Sequence, residues 1–231
     1  MPKAPGTQQD FFCYARTAGV DGATPPANIN HNETVYLIRH AEAHPSRTFE
    51  DGNYVGAGQW RALALPGLLA GALRGQSVPT RVYAIDPGQA FSIPAYGLDY
   101  AYVRPALTVL PYAIANGLPC ELAAGFLLGA DASSTATAEA TMDFFFTNTA
   151  GANLSNQTVL LAWEHNHYPP LIQQLMNSYG GSEPAPVLTW PSGDYDTIWT
   201  VNLDADGNLT VHNALCEGID SSLLPATAPS F

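Results

Sequence analysis

Two apolar runs along the chain each end abruptly in charged and imidazole side chains. Residues 35–38 are apolar and give way to Arg, His, Ala and Glu at 39–42, and residues 158–163 are followed by Glu and His at 164–165. Short apolar runs bounded by polar residues are typical of buried parallel strands. Ligands bind at the carboxyl ends of strands in open α/β sheets. We therefore expect both polar segments to line one edge of a sheet.

The remaining pattern alternates helical and strand-like segments. It predicts helices near 58–73, 105–117, 137–146 and 169–179, and strands at 34–38, 81–85, 158–163, 199–203 and 209–213. Pro66 should kink or split the first helix. The fold class is a single α/β domain over 35–231, with a mostly parallel central sheet flanked by helices and an antiparallel C-terminal edge hairpin. Residues 1–34 lack periodicity and are expected to form an extended arm.

Composition narrows the choice of partners. The 231 residues suffice for one domain, and 8 Lys and Arg against 20 Asp and Glu give a net charge of −12. Nucleic acid and anionic membranes attract basic surfaces, so neither is an expected partner. No apolar run has the roughly 18 residues needed to span a bilayer. The pattern carries no signal for the oligomeric state.

The three cysteines give information about the cellular compartment of the protein. Cys13, Cys120 and Cys216 are too widely spaced for a zinc motif. One disulfide with one thiol left over, or three buried free thiols, both fit this number. The low lysine content and the sequence of the first residues favour export of a chain whose leader has been removed, to the periplasm or outside the cell. A cytoplasmic location is the alternative.

Four segments in order resemble one known family. Residues 37–42, Leu-Ile-Arg-His-Ala-Glu, resemble the Arg-His-Gly-Glu signature of the histidine phosphatase superfamily, the phosphoglycerate-mutase-like proteins, with Ala41 at the position of the usual Gly. Residues 58–65, 104–111 and 163–166 resemble the family's first helix start, its second phosphate-binding Arg segment and its second His segment. The resemblance covers roughly residues 35–179.

This resemblance implies a phosphatase that hydrolyses a small phosphate monoester without a metal or other cofactor. His40 would attack phosphorus and form a phosphohistidine. Arg39 and Arg104 would clamp the phosphoryl oxygens, and His165 would stabilise the transition state. Arg47 is either a third clamp or a solvent-facing residue. Arg61 is expected at the surface or in packing.

The general acid is harder to assign. Glu42 stands at the signature's Glu position, where it either takes part in catalysis or only orients the loop. Glu164 precedes His165, where many relatives have Gly, and it is favoured as the acid or as an orienting group. Glu121 and Asp131 lie in the region where one branch of the family keeps its acid, without a motif match.

Two other classes of function stay open. The spacing of His40, Glu42 and His44, with His165 and His167 later, resembles alternating metal ligands and permits a zinc hydrolase. A family member that uses the pocket for a different anion or a different acid–base reaction is the other alternative. Arg39 is an unfavourable neighbour for a metal dication, whereas the unusual Glu164 and the lack of a clear acid motif keep the altered family member open.

Overall fold

A seven-stranded sheet forms the centre of the molecule. We describe a computed structural model over residues 17–19, 23–46, 50–88, 90–93, 97–123, 135–149, 153–180 and 189–230. Its strands are β1 (Thr17–Gly19), β2 (Glu33–Arg39), β3 (Arg81–Ile85), β4 (Ala90–Ile93), β5 (Leu98–Ala101), β6 (Cys120–Ala123), β7 (Thr158–Trp163), β8 (Thr197–Leu203) and β9 (Leu209–Cys216). Its helices are α1 (Gly56–Ala72), α2 (Arg104–Ala115), α3 (Thr135–Phe146) and α4 (Tyr168–Ser178), with a 3₁₀ turn at Ser221–Leu223.

The strand order places the two polar segments side by side. The sheet runs β1-β9-β8-β2-β7-β3-β6, and β4 pairs with β5 separately. Strands β2, β7, β3 and β6 are parallel, whereas β8, β9 and β1 add antiparallel pairs. Arg39 is in register with Trp163, and the His40 amide donates to the Trp163 carbonyl at 2.9 Å. Both strand ends therefore open at the same edge.

Helices cover both faces of the sheet, as the α/β prediction requires. Successive strand residues point to opposite faces, so Val35 and Leu37 pack in one cluster with Leu171 of α4, whereas Tyr36 and Ile38 pack in the other with residues of α1 and α2. These side chains are almost fully buried. The predicted fold class is confirmed.

Several boundaries differ from the sequence predictions for local reasons. Helix α1 continues through Pro66, because one lost backbone hydrogen bond does not end a helix of 17 residues packed along α2. Strands β4, β5 and β6 were not predicted, because they are too short to show the alternation of apolar and polar residues that marks a strand. Residues of the predicted arm join the body, with Ile29 buried and bridged to Thr147. Strand β1 pairs with β9, so it covers the predicted edge hairpin.

The structure describes two of the three cysteines and bears on the prediction that no segment spans a membrane. Cys216 is disulfide-bonded and Cys120 is a free thiol, whereas Cys13 lies outside the described residues. Among the described residues, every helix is too short or too polar to cross a bilayer.

Candidate active site

His40 lies at the end of β2 with one ring nitrogen already engaged. The residue is 2% exposed, and its Nδ1 lies 2.7 Å from the carbonyl of Ala41. A carbonyl can only accept, so Nδ1 carries the proton and Nε2 presents its lone pair. The Ala41 amide donates to the hydroxyl of Thr108, which donates to the Arg104 carbonyl, both at 2.8 Å. These bonds tie the His40 loop to the start of α2.

Arg39 is held by backbone oxygens and an aromatic ring. Its Nη1 donates to the carbonyls of Ser192 at 2.5 Å and Asp194 at 3.3 Å, and its guanidinium carbon lies 3.8 Å from the centre of the Tyr195 ring. Its Nε is buried and has no hydrogen-bond partner among the described residues. One N–H donor of this arginine is therefore fixed in place without an acceptor in the described part of the chain.

Arg104 repeats this arrangement from the other side. Its Nη1 donates to the Glu50 carboxylate at 2.6 Å and to the Asn53 carbonyl at 2.7 Å. The guanidinium lies 5.0 Å from the Tyr102 ring, and the same ring meets His40 edge to face at 5.8 Å. Its Nε is also buried without a partner in the described part of the chain. The structure thus places Arg104 and His40 against the same Tyr102 ring.

Burial and the two guanidinium groups together set the charge of His40. Burial, then the charges of Arg104 and Arg39, lower the pKa of His40 well below its ordinary value. The ring is therefore neutral at neutral pH. Burial lowers the pKa of Arg39, but an arginine stays cationic in proteins. A neutral imidazole with a free lone pair beside two fixed cations is suited to attack an anionic electrophile.

Glu164 lies among polar groups of its own loop. Its Oε1 is 2.5 Å from His165 Nδ1, its Oε2 is 3.5 Å from His167 Nδ1, and the Asn166 amide donates to Oε2 at 3.0 Å. Burial raises the pKa of Glu164, but contacts with His165 and His167 outweigh burial and hold the pKa well below its usual range. An ionised carboxylate does not donate a proton, so this geometry favours the orienting role over the acid role.

Glu42 points away from His40 into a buried ionic cluster. Its Oε1 accepts from Arg61 Nε at 2.8 Å and from the Ser221 hydroxyl at 2.7 Å, and Arg61 Nη1 also lies 2.6 Å from Glu217. Arg61 has no exposed surface. The prediction that Arg61 packs inside the protein is therefore confirmed, and the alternative that it lies at the surface is wrong. Glu42 anchors the loop after His40, and its contacts with the described residues do not support the catalytic alternative.

The other candidate residues lie elsewhere. Arg47 and Asp131 fall outside the described residues. Glu121 pairs with Arg81 and accepts from the Tyr83 hydroxyl on the sheet, so it is engaged away from His40. In the described ranges, no group of three or more His, Cys, Asp or Glu side chains is arranged to hold a metal ion. This arrangement does not support the zinc alternative.

The structure adds residues that sequence reasoning missed. Tyr102 and Tyr195 lie against His40 at 5.8 and 6.1 Å between ring centres, and Glu50 holds Arg104. Tyr102 stands two residues before Arg104, but nothing in its spacing marked it. Glu50 lies in a polar loop whose contacts depend on the fold.

Comparison with known proteins gives similar structures of low sequence identity. No protein-family model matches the chain, and no curated protein sequence does. A mycobacterial hydrolase is 14% identical with a TM-score of 0.47, covering 82% of this chain and 94% of its own. The mycobacterial glucosyl-3-phosphoglycerate phosphatase is 11% identical with a TM-score of 0.45, covering 85% and 99%. A phosphoserine phosphatase mutant from Entamoeba histolytica in complex with phosphoserine is 14% identical with a TM-score of 0.42, covering 79% and 97%.

Proposed function

We propose that this chain is a histidine phosphatase that hydrolyses a small phosphate monoester through a phosphohistidine. The observation that carries the proposal is the pair of buried Nε–H groups of Arg39 and Arg104, which find no acceptor among the described residues, beside the neutral ring of His40. A buried donor without an acceptor costs free energy, which a bound phosphoryl oxygen would recover. The resemblance of residues 37–42 to the family signature points to the same chemistry.

The proposed reaction begins with His40. Its Nε2 attacks phosphorus and forms a phosphohistidine as the phosphorus–oxygen bond to the leaving group breaks, and the released oxygen takes a proton from water to give the alcohol. Arg39 and Arg104 neutralise charge on the equatorial oxygens, for which two fixed guanidinium groups are suited. Water then attacks the phosphohistidine, releases inorganic phosphate and restores the free ring. His165, held by Glu164, donates a hydrogen bond to the phosphoryl group during both steps.

The test is hydrolysis by a His40→Ala variant. We expect turnover of a panel of small phosphate monoesters by the natural chain and loss of that turnover, by at least about 10⁴-fold, in the variant, because no other group replaces the nucleophile. Rapid quenching with labelled substrate followed by mass analysis should place the phosphoryl group on residue 40.

A matched control is His31→Ala, since His31 is an exposed histidine whose Nδ1 faces the Ala205 carbonyl. This variant should keep full activity. Substantial hydrolysis by His40→Ala would exclude the phosphohistidine mechanism. Binding of phosphate without turnover of any ester would instead favour the altered family member, which uses the pocket for another anion.

We also propose that the chain works in an oxidising compartment after export. The disulfide at Cys216 supports this, since structural disulfides are rare in the cytosol. Thiol labelling of protein from its own cells, without reductant, should find Cys216 protected. A reactive Cys216 in that sample would favour the cytoplasm.

A further inference from the structure

We propose that the sheet edge opposite His40 carries N-linked oligosaccharides. Four asparagines, Asn32, Asn153, Asn156 and Asn208, are each followed two positions later by Ser or Thr, without proline between. A segment of this pattern is the acceptor for N-linked glycosylation in exported proteins. The inference rests on the proposed export of the chain and is independent of the proposed phosphatase activity.

The fold brings these acceptor segments to one edge of the sheet. Asn32 directly precedes β2, and Asn156 lies two residues before β7. Those strands are parallel and in register from residues 34 and 158 onward, so they begin together. Asn208 lies in the turn from β8 to β9, which is beside the start of β2 because β8 is antiparallel to β2. Segments that are up to 176 positions apart along the chain therefore share one edge.

Hydrogen bonds join these turns to one another. The Asn32 amide donates to the Asp204 carbonyl, in the turn that holds Asn208, at 2.9 Å. The Asn32 side chain donates to the side-chain oxygen of Asn156 at 3.2 Å. All four asparagines are exposed. Strand β2 has seven residues, so at about 3.3 Å per residue this edge lies about 20 Å from His40. A glycan attached there starts well away from the candidate active site.

The backbone at these asparagines fits exposed turns. Asn32, Asn153 and Asn156 have φ angles of 52°, 46° and 63°, in the left-handed region that Asn enters more readily than most residues with a Cβ. Asn208 donates to the Asp204 carboxylate from its amide at 2.8 Å and from its side chain at 2.9 Å. A glycosylated side-chain amide keeps one N–H, so it can still donate such a bond. The folded turns are therefore compatible with the modification.

The modification joins the Asn side chain to a sugar. The amide nitrogen forms a bond to the anomeric carbon of an oligosaccharide carried on a polyprenyl diphosphate. The bond from that carbon to the diphosphate oxygen breaks, and one amide proton passes to a base of the transferase, so no oxidant or reductant is needed. The transferase acts on the unfolded chain. A hydroxyl that is engaged in the folded chain, as Thr34 is with Asn202 at 3.0 Å, is therefore accessible to it.

Occupied sites can be mapped on the full chain secreted by its own cells. Peptide N-glycosidase in oxygen-18 water converts each glycosylated Asn to an Asp that carries heavy oxygen, which mass analysis of the peptides locates. We expect this label at Asn208 and at one or more of the other three asparagines. Asn177 is an internal control and should stay unlabelled, since it is exposed but is followed by Ser and Tyr. No label at Asn208, or label there alone, would overturn the proposal.

A matched pair of substitutions isolates the acceptor pattern. Thr210→Ser keeps the pattern that begins at Asn208, whereas Thr210→Ala removes it and leaves Asn208 itself and its bonds to Asp204 in place. The secreted Thr210→Ala chain should be lighter than the natural chain by one glycan, and Thr210→Ser should match the natural chain. Equal masses for all three chains would overturn the proposal. If Thr210→Ala is not secreted, the map of the natural chain decides.

Failure of this proposal can be told apart from failure of the others. A protected Cys216 in a chain without glycans would leave the proposed export standing and overturn glycosylation of this edge. Absence of phosphatase activity in a chain that carries the expected glycans would refute the proposed function and leave this inference intact.

Discussion

The buried carboxylate of Glu217 should make the stability of this chain depend on pH near neutrality. Burial raises its pKa, the facing Arg61 lowers it, and the neighbouring Asp196 and Glu42 raise it, with a net pKa of about 7. Three carboxylates share one guanidinium here, since Arg61 also lies 3.8 Å from Asp196. The folded chain therefore keeps a proton that the unfolded chain releases near pH 4.3.

The direction and the size of the change in stability follow from the difference between the pKa values of the folded and unfolded chains. A raised pKa in the folded state gives stability that is present at low pH and lost as the pH rises through about 7. At about 1.4 kcal/mol for each pKa unit, the free energy of unfolding contributed by Glu217 falls by roughly 2–3 kcal/mol between pH 5 and pH 8.

The assay compares the natural chain with Glu217→Gln, whose neutral amide cannot titrate. Urea unfolding at pH 5 and at pH 8 gives the free energy of unfolding of each chain. The variant's stability minus that of the natural chain should increase by roughly 2–3 kcal/mol over this range. His40 and His212 have lowered pKa values and titrate with the opposite sign, but they cancel in this difference.

The reasoning would be refuted if the free energies of unfolding of the variant and the natural chain differed by the same amount at pH 5 and pH 8, within about 0.5 kcal/mol. A variant that loses stability relative to the natural chain as the pH rises would also refute it. A constant offset between the two chains carries no weight, since it reflects packing of the amide and not titration.

The remaining predictions concern the pocket. Arg104→Lys should lower kcat/KM by about 10²- to 10³-fold in steady-state assays, because lysine lacks the planar fork and the Nε–H; near-natural activity would contradict the anion role. Gly52→Ala should lower the free energy of unfolding more than Gly75→Ala does, since both have positive φ but only at Gly52 would the new Cβ collide with the Ala101 carbonyl; equal losses in urea unfolding would refute that clash. Turnover should survive dialysis against a chelator, and a loss that zinc restores would move the metal hydrolase to first place.

The pattern of apolar and polar residues along the chain was enough to predict the main helices and strands and the residues at the strand ends. The apolar runs at β2 and β7 predict their strands closely, since burial on both faces leaves a continuous signal. The polar residues that follow, His40 and His165, reach one sheet edge because parallel neighbours in register end together. Such relations repeat in every α/β sheet and can be read without coordinates.

The amino-acid sequence by itself determined the fold class, and it predicted the sheet edge and the residue types of the candidate site. Tertiary structure decided what each carboxylate does. Glu42 faces Arg61, and Arg61 faces Glu217, a residue 156 positions later in the chain. Glu50 reaches Arg104 across 54 positions. Ionic pairing depends on distance and burial in space, which spacing along the chain does not encode. The sequence could therefore propose Glu42 and Glu164 as acids, but only the folded chain shows that the partners of both are cations and donors.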